Sequence, residues 1–155
     1  MIQIRNIQPA DFFETGEMIK MTLRRSFKDL YPGELIDAFC KKYDLENFKE
    51  KVKEIDYFIA EDDKKIIGII GLKDNELRTF FVHSGYQGKS VGTKLYNHLE
   101  KEAKSRGIGK LILEGSPKGQ PVYQHFGFKK VKSIIKERDG IKFEDAVMEK
   151  ALDEE

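Results

Sequence analysis

The sequence lacks the features that are typical of disulfide-rich, membrane-spanning and strongly charged proteins. Cys40 is its only cysteine, which excludes an internal disulfide. Lys+Arg 28 and Asp+Glu 27 leave a formal net charge of +1, so composition gives no reason to expect nucleic acid or an anionic membrane as partner. No apolar run approaches the length of a membrane span, and residues 1–6 lack signal-peptide character. We therefore expect a cytoplasmic protein.

The length and composition of the sequence predict one α/β domain over residues 1–155. With 155 residues and 39% hydrophobic content, the chain can bury one core, and a second would be cramped. The pattern predicts a mixed, mostly antiparallel sheet of about seven strands flanked by helices. Strands are expected at Ile2–Ile7, Tyr57–Glu61, Lys65–Lys73, Glu76–Val82, Lys110–Glu114, Phe128–Lys136 and Ile141–Lys150. Asp139-Gly140 is the strongest hairpin signal.

Helices are predicted between these strands. Asp11 is expected to cap the first, and a second follows Pro32-Gly33. Leu45 to Val52 either continues that second helix or forms a separate turn. The best-defined helix places Val91, Leu95, Leu99 and Ala103 on one face and ends at Arg106-Gly107. It joins two strands by a right-handed crossover, which predicts a parallel pair.

The most informative segment runs from Leu77 to Thr93. A strand-like stretch opens into a turn containing Gly88 and Lys89, and the turn leads directly into the amphipathic helix. A helix start has N–H groups without partners, and the helix dipole favours negative charge there. The segment therefore predicts a cradle for phosphate. About thirty residues later, Tyr123 precedes Gly127-Phe128 by one helical turn.

These two motifs together resemble the GNAT superfamily of N-acetyltransferases. Its acetyl-CoA pyrophosphate loop, Gln/Arg-x-x-Gly-x-Gly/Ala, is matched by Gln87 to Gly92, and its later Tyr-x-x-x-Gly-Phe by Tyr123 to Phe128. Ser90 stands where the family usually has its first glycine, so Ser90 must hold a helical conformation. The family's common Asn is Ser116 here, within a stretch that looks like the variant Ser/Thr-Pro-x-Gly-x-Pro-x-Tyr.

The resemblance implies transfer of an acetyl group from acetyl-CoA to a primary amine, with no metal. Backbone groups of Phe80, Phe81 and Val82 would pair with the pantetheine arm, with Ser116 nearby. One backbone N–H in the first strand would polarise the acetyl carbonyl, and Tyr123 would protonate the leaving thiolate. The pyrophosphate would be bound by residues Gln87, Gly88, Lys89, Ser90, Val91, Gly92 and Thr93.

A general base is a further requirement, because a lysine-like amine has a pKa near 10.4 and is almost wholly protonated at pH 7. Two candidates remain open. Glu114 ends a strand beside the expected acetyl site, where burial would raise its pKa, and a solvent-exposed strand end is the alternative. His83 follows the strand before the loop, and a surface histidine explains it equally well.

The acceptor is a small molecule or a peptide amine. Phe27 and Tyr31, together with Phe39 and Tyr43, are candidates to line its pocket, and core packing is the alternative. Dimers are common in the resembling family, so a homodimer is one expectation.

Two other functions fit parts of the sequence. Gly88-Lys89-Ser90 mimics the end of a P-loop, but that motif requires glycine where His83 stands. A module that senses coenzyme A without turnover would keep the phosphate cradle, although retention of Tyr123 argues against it.

Overall fold

The structure, a computed structural model, describes residues 1–152 and confirms the predicted fold class. Seven strands form one sheet in the order β1-β2-β3-β4-β5-β7-β6, and only β4 and β5 are parallel. The strands are β1 (Ile2–Asn6), β2 (Asp56–Asp62), β3 (Lys65–Lys73), β4 (Glu76–Val82), β5 (Lys110–Gly115), β6 (Lys129–Arg138) and β7 (Ile141–Ala151). The helices are α1 (Phe12–Phe27), α2 (Gly33–Lys41), α3 (Leu45–Val52), α4 (Val91–Ser105) and α5 (Gln120–His125).

The predicted meander and hairpin both form. β2, β3 and β4 are antiparallel neighbours, and tight turns with positive φ join them. Asp139 (φ 50°) and Gly140 (φ 79°) connect β6 to β7, as the type I′ preference of Asp-Gly predicts. Leu45 to Val52 is a separate helix, α3, which settles the alternative left open by the sequence.

The expected cap at Asp11 takes a different form. Its carboxylate does not bond to an N–H group of α1. Instead it accepts the main-chain N–H of Gln8 at 2.8 Å and both terminal nitrogens of Arg5, at 2.8 and 3.0 Å. Asp11 therefore ties a short 3₁₀ turn, Pro9–Asp11, to β1 ahead of the helix.

Two hydrophobic cores lie on opposite faces of the sheet. On one face, α4 contributes Val91, Leu95, Leu99 and Ala103, as its periodicity predicted. On the other face, α1, α2 and α3 pack through a cluster that includes Ile19, Ile36 and Phe48. Because both faces are covered, β3 is buried almost along its whole length. β4 is the central strand of the seven.

Among residues 1–152, no helix combines the length and apolar character needed to cross a membrane.

Candidate active site

A gap in the centre of the sheet defines the site. β4 and β5 pair at one position, where Glu76, the first residue of β4, lies opposite Ile112. Beyond that point, within residues 1–152, the edge of β4 up to Val82 has no strand partner on the β5 side. Apart from the Val82 carbonyl, which accepts from the Gln87 side chain, the backbone groups along this edge are available to pair with an extended ligand.

A β-bulge in β4 accompanies the separation. Ile70 pairs with Phe80 and Gly71 with Arg78, so Thr79 is the extra residue. Thr79 has φ 61°, which is unusual for a β-branched residue. Its hydroxyl lies 3.1 Å from the Tyr43 hydroxyl and 3.3 Å from the Tyr57 hydroxyl. These contacts with α2–α3 and β2 hold the strained residue in place.

The turn after β4 leads into α4 as the sequence predicts. Gly88 has φ 83°, a conformation that glycine adopts without steric cost. Val91, Gly92 and Thr93 begin the helix, and its first bond into the turn runs from the Lys94 N–H to the Ser90 carbonyl. The three preceding N–H groups have no acceptor within residues 1–152. They fit a diphosphate, because both the free donors and the helix dipole favour an anion.

The predicted helical conformation of Ser90 is wrong. Ser90 is left-handed, with φ 66° and ψ 12°, and the helix begins at Val91. The turn must reverse the chain between β4 and α4, and a left-handed residue before the helix achieves this. Gln87 also contributes to the turn, since its side-chain amide donates to the Val82 carbonyl at 3.3 Å.

Tyr123 lies across the gap on α5. Its ring packs against Phe80, with 6.2 Å between ring centroids, and against Phe128 at 6.1 Å. Tyr123 lines the cleft, and within residues 1–152 its hydroxyl makes no side-chain hydrogen bond. Burial, followed by the proximity of Tyr43 and Asp145, raises the pKa of the phenol above its usual value. The phenol is therefore protonated at neutral pH and can donate to a neighbouring anion.

Glu114 lines the cleft, and of the two alternatives that the sequence left open, the structure shows the solvent-exposed strand end. Leu113 and Gly115 point into the core, and strand alternation therefore turns Glu114 to the open side. Its carboxylate accepts from the Lys136 ammonium at 2.6 Å. Ser116 also lines the cleft, where its hydroxyl accepts the Gly119 N–H at 3.2 Å.

Two predicted residues lie outside the cleft lining. The His83 Nδ1 accepts the Gly85 N–H at 3.0 Å, and burial, followed by Lys65 and Arg25, lowers the His83 pKa. Lys89 extends over the Tyr86 ring, 5.7 Å from its centroid. All other residues predicted for the site line one cleft of ≈ 1170 Å³.

The expected N–H donor in the first strand does not fit this geometry. β1 is the outer strand of the sheet and is separated from β4 by β2 and β3. A main-chain donor that faces the gap must therefore come from one of the two strands that border it, β4 or β5.

An aromatic cluster closes the cleft on the side of α1 and α2. Phe27 contacts Tyr31, with 5.1 Å between ring centroids, and Phe39 contacts Phe143 at 5.2 Å. The Tyr31 hydroxyl is buried without a partner, and burial together with Asp145 raises its pKa to about 12. An unpartnered buried hydroxyl that faces a cleft is suited to a ligand.

Sequence reasoning missed several charged residues of the cleft. Asp145 is buried on β7, and burial raises its pKa. The sequence feature that could have identified Asp145 is its position between Phe143 and Val147 on the same face of a strand. Lys42, Lys51, Arg78 and Arg138 also line the cleft, and no local pattern distinguishes them from other surface charges.

A split parallel strand pair, free N–H groups at a helix start and a facing phenol define a class of protein: acyltransferases that bind coenzyme A between two strands of the sheet. Comparison with known families agrees, because the acetyltransferase (GNAT) domain matches residues 27–152. The chain belongs to this family of acetyl-CoA-dependent N-acetyltransferases. No curated protein gave a significant match.

Solved structures show the same fold. The GCN5-related N-acetyltransferase from Rhodopseudomonas palustris superposes with a TM-score of 0.91 at 24% identity, covering 97% of this chain and 95% of that one. The PaiA N-acetyltransferase from Thermoplasma acidophilum, solved in complex with coenzyme A, gives 0.81 at 25% identity, with 98% and 99% covered. The ribosomal-protein-S18-alanine N-acetyltransferase from Escherichia coli gives 0.68 at 17% identity, with 97% and 94% covered.

Among residues 1–152, no three His, Cys, Asp or Glu side chains are grouped so that they could hold a metal ion. The P-loop alternative is excluded by the family and by topology, because β4, the strand before the loop, pairs antiparallel with β3.

Proposed function

We propose that the protein transfers the acetyl group of acetyl-CoA to a primary amine by direct attack on the thioester. The observation that carries the proposal is the gap between β4 and β5, with free helix N–H groups at one end and Tyr123 on its wall. The pyrophosphate binds at the start of α4, and the pantetheine arm pairs with the free edge at Phe80, Phe81 and Val82.

The acetyl carbon then lies near the bulge, where a β4 main-chain N–H stabilises the developing oxyanion. The amine nitrogen attacks this carbon, a C–N bond forms, and the C–S bond breaks. Tyr123 donates its phenolic proton to the departing thiolate. The amine loses its excess proton to a base, and of the two candidates the proposal keeps Glu114, since His83 lies outside the cleft lining.

The amine enters from the aromatic side, past Phe27 and Tyr31. The names of structurally similar proteins indicate different acceptors. One is a ribosomal-protein-S18-alanine N-acetyltransferase, and another is an aminoglycoside 6'-N-acetyltransferase. A small molecule and a peptide terminus or lysine are therefore both within the range of this fold. A cytoplasmic location, a homodimer and a single domain over the whole chain stay predictions.

The test is release of free thiol from acetyl-CoA in the presence of a panel of amines, with each acetylated product identified by mass. Binding of acetyl-CoA, measured by calorimetry, is the companion measurement. Thiol release that depends on one class of amine supports the proposal. Binding without amine-dependent release would instead identify a module that senses coenzyme A.

A further inference from the structure

A second cavity opens from the acceptor side of the cleft and is lined largely by cations. Its volume is ≈ 390 Å³. Lys42, Lys51 and Arg138 line both this cavity and the main cleft, so they form the boundary between the two spaces. The remaining lining residues are Ala38, Lys41, Asn47 and Asp139.

These cations come from separate elements that converge in three dimensions. Lys42 follows the last residue of α2, Lys51 lies in the last turn of α3, and Arg138 ends β6. Arg78, immediately before the bulge, and Lys136 extend the positive charge along the cleft wall. Arg78 stands four residues before Val82, which is about 13 Å along an extended strand at ~3.3 Å per residue, and the phosphate-binding turn lies beyond Val82. The cluster therefore lies towards the opposite end of the cleft from that turn, on the side where the proposed acceptor enters.

Carboxylates do not neutralise the three boundary cations. Within residues 1–152, no carboxylate oxygen lies within 4.0 Å of the charged nitrogens of Lys42, Lys51 or Arg138. The Lys51 ammonium instead sits over the Tyr43 ring, 5.7 Å from its centroid. Asp139 lines the side cavity without an ion pair to these three cations, and the buried Asp145 on the cleft wall makes its contact, at 3.9 Å, with Lys136.

Bringing these cations together costs free energy in the protein without a bound anion. Burial, followed by repulsion from Lys51, Arg138, Lys136 and Arg78, lowers the pKa of Lys42 to about 7. The pKa of Lys51 is lowered by burial and by Arg78 and Arg138. A net cationic, partly buried cluster is stabilised when an anion occupies it.

We propose that Lys42, Lys51 and Arg138 form a subsite for an anionic group of the acceptor, so that the substrate is a small primary amine carrying a carboxylate or a phosphate. The inference rests on the proposed acetyl transfer and names its substrate class. The limited volume of the side cavity favours a small headgroup over a polypeptide. The same cations repel a polyamine, which carries several positive charges along its length.

The experiment compares matched pairs of amines in which the neutral partner carries no anionic group: β-alanine with β-alaninamide, 4-aminobutyrate with 4-aminobutyramide, and phosphoethanolamine with ethanolamine. Each is titrated calorimetrically into the protein saturated with coenzyme A, so that the phosphate-binding turn is already occupied. We expect the anionic member of at least one pair to bind ten-fold or more tightly than its neutral partner. The carboxylate and phosphate pairs separate the two sources of charge.

Two variants and a matched control test whether the preference for anionic amines depends on the boundary cations. Lys51→Gln and Arg138→Gln should each weaken binding of the anionic amine about ten-fold and leave the neutral partner unchanged. Lys132→Gln removes a charge from an exposed position of the same strand, β6, outside both cavities, and should change nothing. Circular dichroism melting confirms that each variant is folded.

The outcomes are distinct. No charge preference in any pair, or a preference that survives both variants, would overturn the subsite. An acidic lysine-containing peptide is titrated in the same way. If this peptide binds tightly and none of the small amines does, the small-molecule assignment is overturned. Thiol release is measured separately. Binding of the anionic amine without thiol release contradicts the proposed transfer and supports the subsite. Thiol release with no preference for anionic amines supports the transfer and contradicts the subsite. If coenzyme A does not bind, the same variants are titrated without it.

Discussion

Single residues at this site combine unfavourable local conformations with specific partners. Thr79 has a positive φ and yet is held by two tyrosine hydroxyls, whereas the Tyr31 hydroxyl is buried without a partner in the described chain and Tyr123 lines the open cleft. Strained residues and unpaired buried hydroxyls are costly, and they persist where a ligand is to be bound. This contrast motivates two predictions.

Tyr123→Phe should lower kcat about 10- to 100-fold with little change in the affinity for acetyl-CoA. The phenylalanine ring keeps the packing against Phe80 and Phe128, and only the proton donor is lost. Steady-state kinetics and calorimetry separate the two quantities. Equal losses of turnover and affinity would contradict the role of Tyr123 as general acid.

Thr79→Ala should destabilise the protein by about 1–3 kcal/mol, because two buried tyrosine hydroxyls lose their shared partner. Thr79→Ser is the matched control, since it keeps the hydroxyl and should be close to wild type. Urea unfolding measures both. If serine is as destabilising as alanine, the hydroxyl does not hold the bulge.

At the scale of elements, α4 connects the phosphate-binding turn to the rest of the molecule. Its first turn packs on β4, and further along its Glu100 carboxylate accepts from the Lys150 ammonium of β7 at 2.5 Å and from the Tyr96 hydroxyl at 2.7 Å. Burial favours the protonated carboxyl, but the bonds from Lys150 and Tyr96 lower the Glu100 pKa overall. The helix is thus anchored to β4 at its start and to β7 near its middle, and the first anchor lies beside the N–H groups that face the turn.

Gly92→Glu should weaken acetyl-CoA binding at least ten-fold, because a carboxylate would lie beside the phosphates at the helix start. Gly92→Gln is the matched control for size, and it should lose less affinity. A Cβ atom at position 92 meets Phe80 and Val82 at 3.6 and 3.7 Å, which is ordinary contact, so folding should survive. Equal affinity of the glutamate and glutamine variants, measured by calorimetry, would count against an anion at this position.

At the scale of the whole molecule, separate parts of the chain contribute charges to one place. Lys42 is surrounded by Lys51 on α3, Arg78 on β4, and Lys136 and Arg138 on β6, with Asp145 on β7 as the opposing charge. The net charge of +1 conceals this local concentration. Its effect on folding should be visible in the pH dependence of stability.

The stability of the free protein should rise as the pH increases from about 7 to 9.5. The folded pKa of Lys42 is about 7 and its ordinary value is 10.5, so in this window the unfolded chain binds more protons than the folded one. Lys42→Gln should be more stable than wild type near pH 6 and should show a flatter profile. Urea midpoints at several pH values measure this effect, with Lys132→Gln as control. Parallel profiles for wild type and Lys42→Gln would contradict it.

The sequence was sufficient for features that depend on local chemistry. The tight turn at Asp139-Gly140, the apolar face of α4 and the glycine-containing turn before it follow from the conformational preferences of adjacent residues and from burial periodicity. Family motifs added the proposed role of Tyr123. These features involve residues close together in the chain, and their physics is therefore present in short stretches of sequence.

Tertiary structure decided what depends on distant segments. The exposure of Glu114 follows from which face of β5 meets the core, and the bulge at Thr79 follows from its pairing with β3 and from the two tyrosines on other elements. Lys42 and Lys51 lie at the ends of the neighbouring helices α2 and α3, whereas Arg138 ends β6, far along the chain, and only the fold brings the three together. Electrostatic interactions and packing depend on distance in space, and that distance is set only when the sheet has formed.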